Sequence, residues 1–451
     1  MRIKKYINIV FFFFIIGLSL TSCSNEELDS TEEIPDVGDD LGTDAPIDSV
    51  MPNPNPTPDT IGKATFFNES LTSNDYILVN DAKNNFVYLM DKKATTLHQW
   101  NLGANGDLGN DCFLESDGTL LAMLESDNTS PELRLGGYGG KIHSLDKNGN
   151  IIWQFEYSSE NHVLHHDALT LPNGNVLAMI WERKSLEEVS AKGYDLEVEL
   201  FPDGLIEIER ATKEIVWEWH LWDHTIQDGD ETKLNYGSVN SNPQLVDLNY
   251  NQREDGDISH GNGITYDPEK DIIYFSANFY SEIWVIDHST SSAEAAGHTG
   301  GNYGKGGDLI YRFGNPKAYG NNQGKRLFHN NHHPNLFSPD DYSKMLVFSN
   351  GAELEQSTVY ELRLPDEFSL NSDLDNEPEV LWSFADSDLY SPKVSGATRL
   401  SNGNTLITEG DFGIWEVTSS GEVVWKFEGD GFFWRAYPYD KNAEEILILG
   451  L

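Results

Sequence analysis

GIWEVTSSGEVVWKFE, residues 413–428, holds two short apolar runs separated by a Ser-Ser-Gly turn. Both runs are rich in Ile, Val, Trp and Phe, the residue types that suit a pleated, half-buried surface, so the stretch reads as two antiparallel strands. Its second run has an order of its own: an apolar residue, an aromatic, any residue, then Phe or Trp. The same order recurs upstream as IWQF (152–155), VWEW (216–219), IYRF (310–313) and LWSF (381–384). A weaker copy, LHQW (97–100), has His98 in the aromatic place.

A strand-like run precedes each copy: FVYLMD, KIHSLD, LIEIER, EIWVID, TVYELR and GIWEV. Paired runs with Asn-Gly-Asn turns, such as HDALTLPNGNVLAMI and SGATRLSNGNTLITEG, supply two further strands per unit. Long amphipathic helical patterns are absent. Six units of four strands predict an all-β fold, a six-bladed β-propeller, and the uneven unit lengths argue against WD40 and kelch types. At the ends, YILVND (76–81) begins the domain without a partner, and FFWRAYPY (432–439) is one strand beyond the last unit. The N-terminal strand is expected to join the last blade and so remove the open edge.

The chain of 451 residues precedes this fold with two segments of different character. Arg2, Lys4 and Lys5 lead into an apolar run over 9–20 that ends in LTSC (20–23), a pattern that resembles a bacterial lipoprotein leader over 1–22 with Cys23 as the lipidated residue. SNEELDSTEEIPDVGDD and the proline-spaced MPNPNPTPDT make 23–62 an acidic, Pro-rich tether. Its acidic start resembles the surface-export signals of Bacteroidetes lipoproteins. The propeller domain is therefore expected over 63–451, anchored by lipid to the outer membrane of a bacterial cell envelope. Only Cys112 is left in the folded part, which excludes an intradomain disulfide and a CxxC zinc site. A formal charge of −44 argues against nucleic acid or an anionic membrane surface as partner, leaving the lipid anchor as the membrane contact. An anionic substrate has to be drawn in by a local cationic pocket.

Three histidines share one position when the units are aligned. His165, His260 and His332 each stand four residues before an apolar residue: Leu169, Ile264 and Leu336. Each therefore marks the start of a blade's first strand, and in a propeller those starts converge on one channel mouth. Gly109 and Val394 hold the position in other units, so the blade itself does not require histidine. His166 and His333 are the neighbours within each pair and can exchange roles with His165 and His332; His162 and His329 precede the motifs. His98, His143, His220, His224, His288 and His298 lie outside this register and are expected to be structural.

Converging imidazoles suit two chemistries. A three-histidine site accepts zinc, manganese or nickel; alternatively, one imidazole is a nucleophile and the others serve as acid, base and electrostatic partners. Asn262, two residues after His260, offers an amide donor for an oxyanion. A third reading is a non-catalytic propeller whose channel binds a ligand. GHTGGNYGKGGD (297–308) lacks the Lys-Ser/Thr ending of a phosphate loop and reads as a long inter-strand loop. SPDDYS and DPEK lack EF-hand spacing and read as solvated turns.

Over about 76–440 the chain resembles the bacterial arylsulfate sulfotransferases, six-bladed propellers that do not use PAPS. The resemblance rests on HHDALTLPNGNVLAM, HGNGITYDPEKDIIYFSANFYSEIWVID, SGATRLSNGNTLITEG, GIWEVTSSGEVVWKFE and the closing FFWRAYPY. It implies transfer of a sulfuryl group from a phenolic sulfate donor to a phenol acceptor through a sulfohistidine, without a cofactor or a metal. His332 corresponds to the sulfuryl acceptor, His260 or His165 to the acid and base, and Asn262 to a sulfate-binding asparagine. Asn278 stands where the family carries a sulfate-binding arginine, which removes a bidentate clamp on the oxyanion. By analogy with an oxyanion-hole donor that loss weakens the transition state by roughly 3 kcal/mol, with Arg326 and Lys393 as candidate substitutes. The separate N-terminal β-sandwich of some family members has no counterpart in the tether.

Overall fold

The computed structural model describes residues 61–102, 105–337 and 341–451. The leader over 1–22, with all but the last two residues of the tether over 23–62 and therefore Cys23, lies outside the described residues.

Six antiparallel sheets form the blades of a propeller. Blade 2 runs Leu108–Leu114, Leu120–Glu125, Gly140–Leu145 and Ile151–Glu156. Blade 3 runs His162–Thr170, Val176–Glu182, Asp203–Ile208 and Ile215–His220. Blade 4 runs Gly261–Asp267, Ile272–Ala277, Glu282–Asp287 and Tyr311–Phe313. Blade 5 runs Asn331–Phe337, Asp341–Ser349, Thr358–Arg363 and Glu379–Phe384. The first strand of each blade packs against the first strands of its neighbours, so these strands line the channel.

Both ends of the chain close the ring. Lys63–Phe67 is a fifth, outermost strand of blade 6, pairing Lys63 with Glu428 and Phe67 with Trp425. Closure by an N-terminal strand is as expected, but the strand that joins the last blade is Lys63–Phe67, ahead of YILVND. The other four strands of blade 6 are Gly396–Arg399, Thr405–Glu409, Gly413–Val417 and Val423–Glu428. A second closure comes from the C-terminus. Phe433–Tyr439 is the channel-lining strand of blade 1, antiparallel to Tyr76–Asp81, which is followed by Phe86–Met90 and Thr96–Asn101. YILVND therefore finds its partner in FFWRAYPY.

Second strands are buried on both faces. Leu177 and Met179 pack toward blade 4 with Ile273 and Phe275, while Val176, Ala178 and Ile180 pack toward blade 2 with Leu121 and Met123. Each such side chain contributes about 1.5–3 kcal/mol by leaving water, which is why these runs are nearly continuous hydrocarbon.

The aromatic repeat has a specific use. Its indoles reach from the outer strand of one blade to a turn of the next. Trp100 Nε1 donates to Asp146 O at 3.1 Å, Trp153 to Arg210 O at 2.8 Å, Trp217 to Thr290 Oγ1 at 3.2 Å and Trp425 to Lys92 O at 2.6 Å. Tyr311 and Asn376 make the corresponding contact from blade 4 to blade 5. The repeat is thus a clip between blades as well as an apolar pattern, since a buried indole N–H needs an acceptor.

Candidate active site at the channel mouth

The channel-lining strands bend where they begin. His166, His260 and His333 have φ of 53°, 47° and 54°, and Val394 has 47°. The left-handed residue accompanies irregular pairing in blades 3, 4 and 5 and re-aims the side chains beside it.

His332, on blade 5, is buried and makes two side-chain contacts. Its Nδ1 lies 2.6 Å from Asn350 Oδ1 and 3.4 Å from Asn278 Nδ2. Asn350 Nδ2 donates to Ser391 O (2.9 Å) and Val394 O (3.1 Å), so its oxygen is the atom turned to the ring. That oxygen accepts only, which puts the imidazole proton on Nδ1 and the lone pair on Nε2. Burial lowers the His332 pKa to about 3, against a partial rise from Asn350 and a further lowering by the charges of His260 and Arg435. His332 is a neutral imidazole with a fixed tautomer.

His260, on blade 4, is in the opposite condition. Burial alone would lower its pKa, but the charge and hydrogen bond of Asp257 on Nδ1 overcome that and raise it above the usual value. Asp257 also accepts from the His260 backbone N at 3.1 Å, and Phe279 stacks on the ring at 4.6 Å. The ring is 17% exposed, making it the most accessible of the three histidines His166, His260 and His332. A histidine whose protonated form is favoured by a carboxylate, beside one that burial keeps neutral, is the arrangement of an acid and a nucleophile.

Of the pair on blade 3, it is His166 that faces His260, with ring centroids 4.7 Å apart. His165 is fully buried behind it, stacked at 4.0 Å on Trp181, with Nε2 3.1 Å from Asp203 Oδ1 though off the hydrogen-bond line. The two Nδ1 atoms lie 2.9 Å apart, so His165 reaches the mouth through its neighbour. Burial, then the charges of His260, His165 and His332, hold His166 well below the ordinary histidine value. Gly137, with φ 85°, lies over the His166 ring, and a Cβ there would come within 2.3 Å of Nε2. On blade 5 the pair divides the other way: His333 turns to Asn335 (3.1 Å) and the edge of Tyr437 (5.9 Å).

Asn262 and Asn278 both donate to Asn331 O, at 2.8 and 3.1 Å, which leaves each amide one further N–H. Arg326 donates to Phe328 O and Ser281 Oγ and pairs with Glu353, whereas Lys393 lies exposed over the ring of Phe432. The histidines do not share a metal-sized cluster. Among the described residues the one group of three ligands with donor atoms within 4.8 Å is His224, His298 and Asp308, away from this register.

Below the histidines a charged layer crosses the channel. Arg435 of blade 1 pairs with Asp111 of blade 2 (2.8 Å) and Asp167 of blade 3 (3.0 Å), and donates to Asn262 O of blade 4 at 2.9 Å. Tyr437 donates to Asp111. Burial pushes Asp111 up to about 6 in spite of Arg435, and raises Asp167 as well. Gly263 makes room for the guanidinium, since a Cβ there would lie 2.9 Å from Nη2. Sequence reading assigned no role to Asp257, Asn350 or Arg435. The available signals were an arginine inside the apolar FFWRAYPY and an aspartate three residues before His260.

Residues 55–428 match the sequence profile of the family described as Arylsulfotransferase (ASST). No curated protein matches the chain. Similar solved structures include a Bacteroides caccae protein of unknown function (12% identity, 81% of this chain and 99% of that one, TM-score 0.48). Others are a functionally unknown protein from Desulfotomaculum acetoxidans (14%, 80% and 98%, 0.40) and the Pseudomonas aeruginosa periplasmic gluconolactonase (9%, 81% and 99%, 0.38).

Proposed function

Since the chain belongs to the arylsulfotransferase (ASST) family, we propose that it moves a sulfuryl group from a phenolic sulfate ester to a phenol through His332. The observation that carries this reading is the contrast between His332, neutral and oriented by Asn350, and His260, charged by Asp257. In the first half-reaction the Nε2 lone pair of His332 attacks sulfur and the sulfur–aryl oxygen bond breaks. The departing phenolate takes the proton of His260, leaving a sulfohistidine and a free phenol. In the second half, neutral His260 removes the proton of the acceptor phenol, whose oxygen attacks sulfur and frees His332. The spare N–H groups of Asn262 and Asn278 would serve as donors to the sulfuryl oxygens as these gain charge. The cell-envelope location through a lipid on Cys23 belongs to the same proposal, and metabolic labelling with a palmitate analogue, lost in Cys23→Ala, tests it.

Incubation with p-nitrophenyl sulfate and a phenol should release nitrophenolate, and intact mass after the donor alone should show one added sulfuryl group. A specific feature favours a second reading: Asn278 offers no charge where a guanidinium would clamp the oxyanion. Under that reading the site binds a phenolic sulfate without turning it over. A donor-dependent rise in melting temperature with neither adduct nor nitrophenolate would select it.

A further inference from the structure

The glycine-rich segment 297–308 folds back on itself between the last two strands of blade 4. Gly306 N donates to Gly300 O at 3.1 Å and Gly307 N to Gly297 O at 3.0 Å. This closes the two ends of the segment and sets His298 Nδ1 2.7 Å from Asp308 Oδ1. The same oxygen lies 2.9 Å from Nδ1 of His224, which comes from the 3₁₀ turn Leu221–His224 following blade 3. His224 is fully buried and parallel to Trp219, centroids 5.8 Å apart. Gly307 permits this approach, because a Cβ there would stand 2.5 Å from His224 Nε2 and 2.0 Å from Ala295 O.

Hydrogen-bond arithmetic around His224 leaves a gap. Its Nε2 lies 2.8 Å from Ala295 O, an acceptor only, so that nitrogen carries the proton. A neutral ring then turns the Nδ1 lone pair toward the Asp308 carboxylate, and His298 Nδ1 is aimed at the same oxygen. His298 can donate from its Nδ1–H tautomer, but the His224 Nδ1 lone pair then faces a carboxylate oxygen lone pair, a contact that a cation among the three atoms, or a second proton on His224, would relieve. All three atoms lie within 4.8 Å of one another. Two imidazoles and a carboxylate are a donor set for a divalent first-row metal, bound at about 2.0–2.2 Å and leaving a fourth position for water. A backbone carbonyl holding the far N–H of a ligating histidine is the usual outer support of such a ligand. His298 is 61% exposed, which gives an ion access.

We propose that His224, His298 and Asp308 bind a divalent metal of the zinc type, tying the 297–308 loop of blade 4 to blade 3. The site is independent of the channel histidines. Tag-free protein, treated with a chelator and dialysed, is titrated calorimetrically with zinc chloride alone, as wild type, His298→Ala and His332→Ala. Wild type and His332→Ala are expected to bind one more equivalent than His298→Ala, whose affinity at this site falls by at least about tenfold. Zinc should raise the melting temperature of wild type and not of His298→Ala. An exposed ring is removed in that variant, so its metal-free melting temperature should match wild type and show that it folds. Equal stoichiometry in wild type and His298→Ala, or binding lost in His332→Ala but kept in His298→Ala, would overturn the proposal.

Discussion

The two halves of the channel mouth share a backbone and differ in what they carry. Blades 3, 4 and 5 present His166, His260 and His332, the first two left-handed themselves and the third beside left-handed His333. Blade 6 repeats the bend at Val394 (φ 47°) and Ser395 (φ 87°) without an imidazole. A β-branched residue in that conformation shows that the bend belongs to the propeller and was not created by the histidines. The histidine-free half supplies fixed charge instead: Arg435 and Asp111 in the floor and Lys393 at the rim. The proposed reacting groups thus sit on one side, with Asp257 beside His260, while Arg435, Asp111 and Lys393 stand on the other.

Removing the proposed nucleophile breaks the comparison at its strongest point. His332→Ala is expected to lower aryl-sulfate turnover by at least about a thousandfold, with the sulfuryl adduct absent by mass. On the opposite half, Arg435→Met leaves two buried carboxylates uncompensated and should cost about 3–5 kcal/mol in denaturant unfolding. Asp257→Asn lets burial lower the His260 pKa, so the alkaline limb of the rate profile moves to lower pH. The rate above neutrality should fall about a hundredfold, least for donors with acidic phenols.

Acid tests the buried neutral rings. Below about pH 6.5 the unfolded chain takes up a proton that folded His332 refuses until about pH 3, so this residue lowers stability as pH falls through that window. The slope is about 1.4 kcal/mol per pH unit, and His332→Gln should remove it. The difference between the two proteins isolates His332 from Asp111, whose raised pKa acts in the opposite sense. The smallest effect is expected at the rim. Lys393→Gln should reduce kcat/KM for the anionic donor by about two- to fivefold, less so at high salt, with the acceptor dependence unchanged.

The blade count was legible because the aromatic repeat is local and most copies answer the same need, an aromatic donor reaching the next blade. The strand Lys63–Phe67 was not, since its pairing with Val423–Glu428 joins segments far apart in sequence. Register brought His165, His260 and His332 together on paper. It could not choose within His165/His166, because the bend at the left-handed residue rotates adjacent side chains to opposite sides. Asp257 and Asn350 escaped notice for a related reason: a polar residue in a loop carries no mark of the ring it will hold.

What the sequence determined by itself is the six-unit β architecture, the convergence of histidines at one mouth, and the absence of an arginine at Asn278. These follow from short-range alternation and repeat spacing, which strand geometry makes periodic. Tertiary structure alone decided which imidazole is neutral, which is charged and where each proton sits. Those properties depend on burial and on partners such as Asn350, Asp257 and Arg435, brought within reach only when the ring closes.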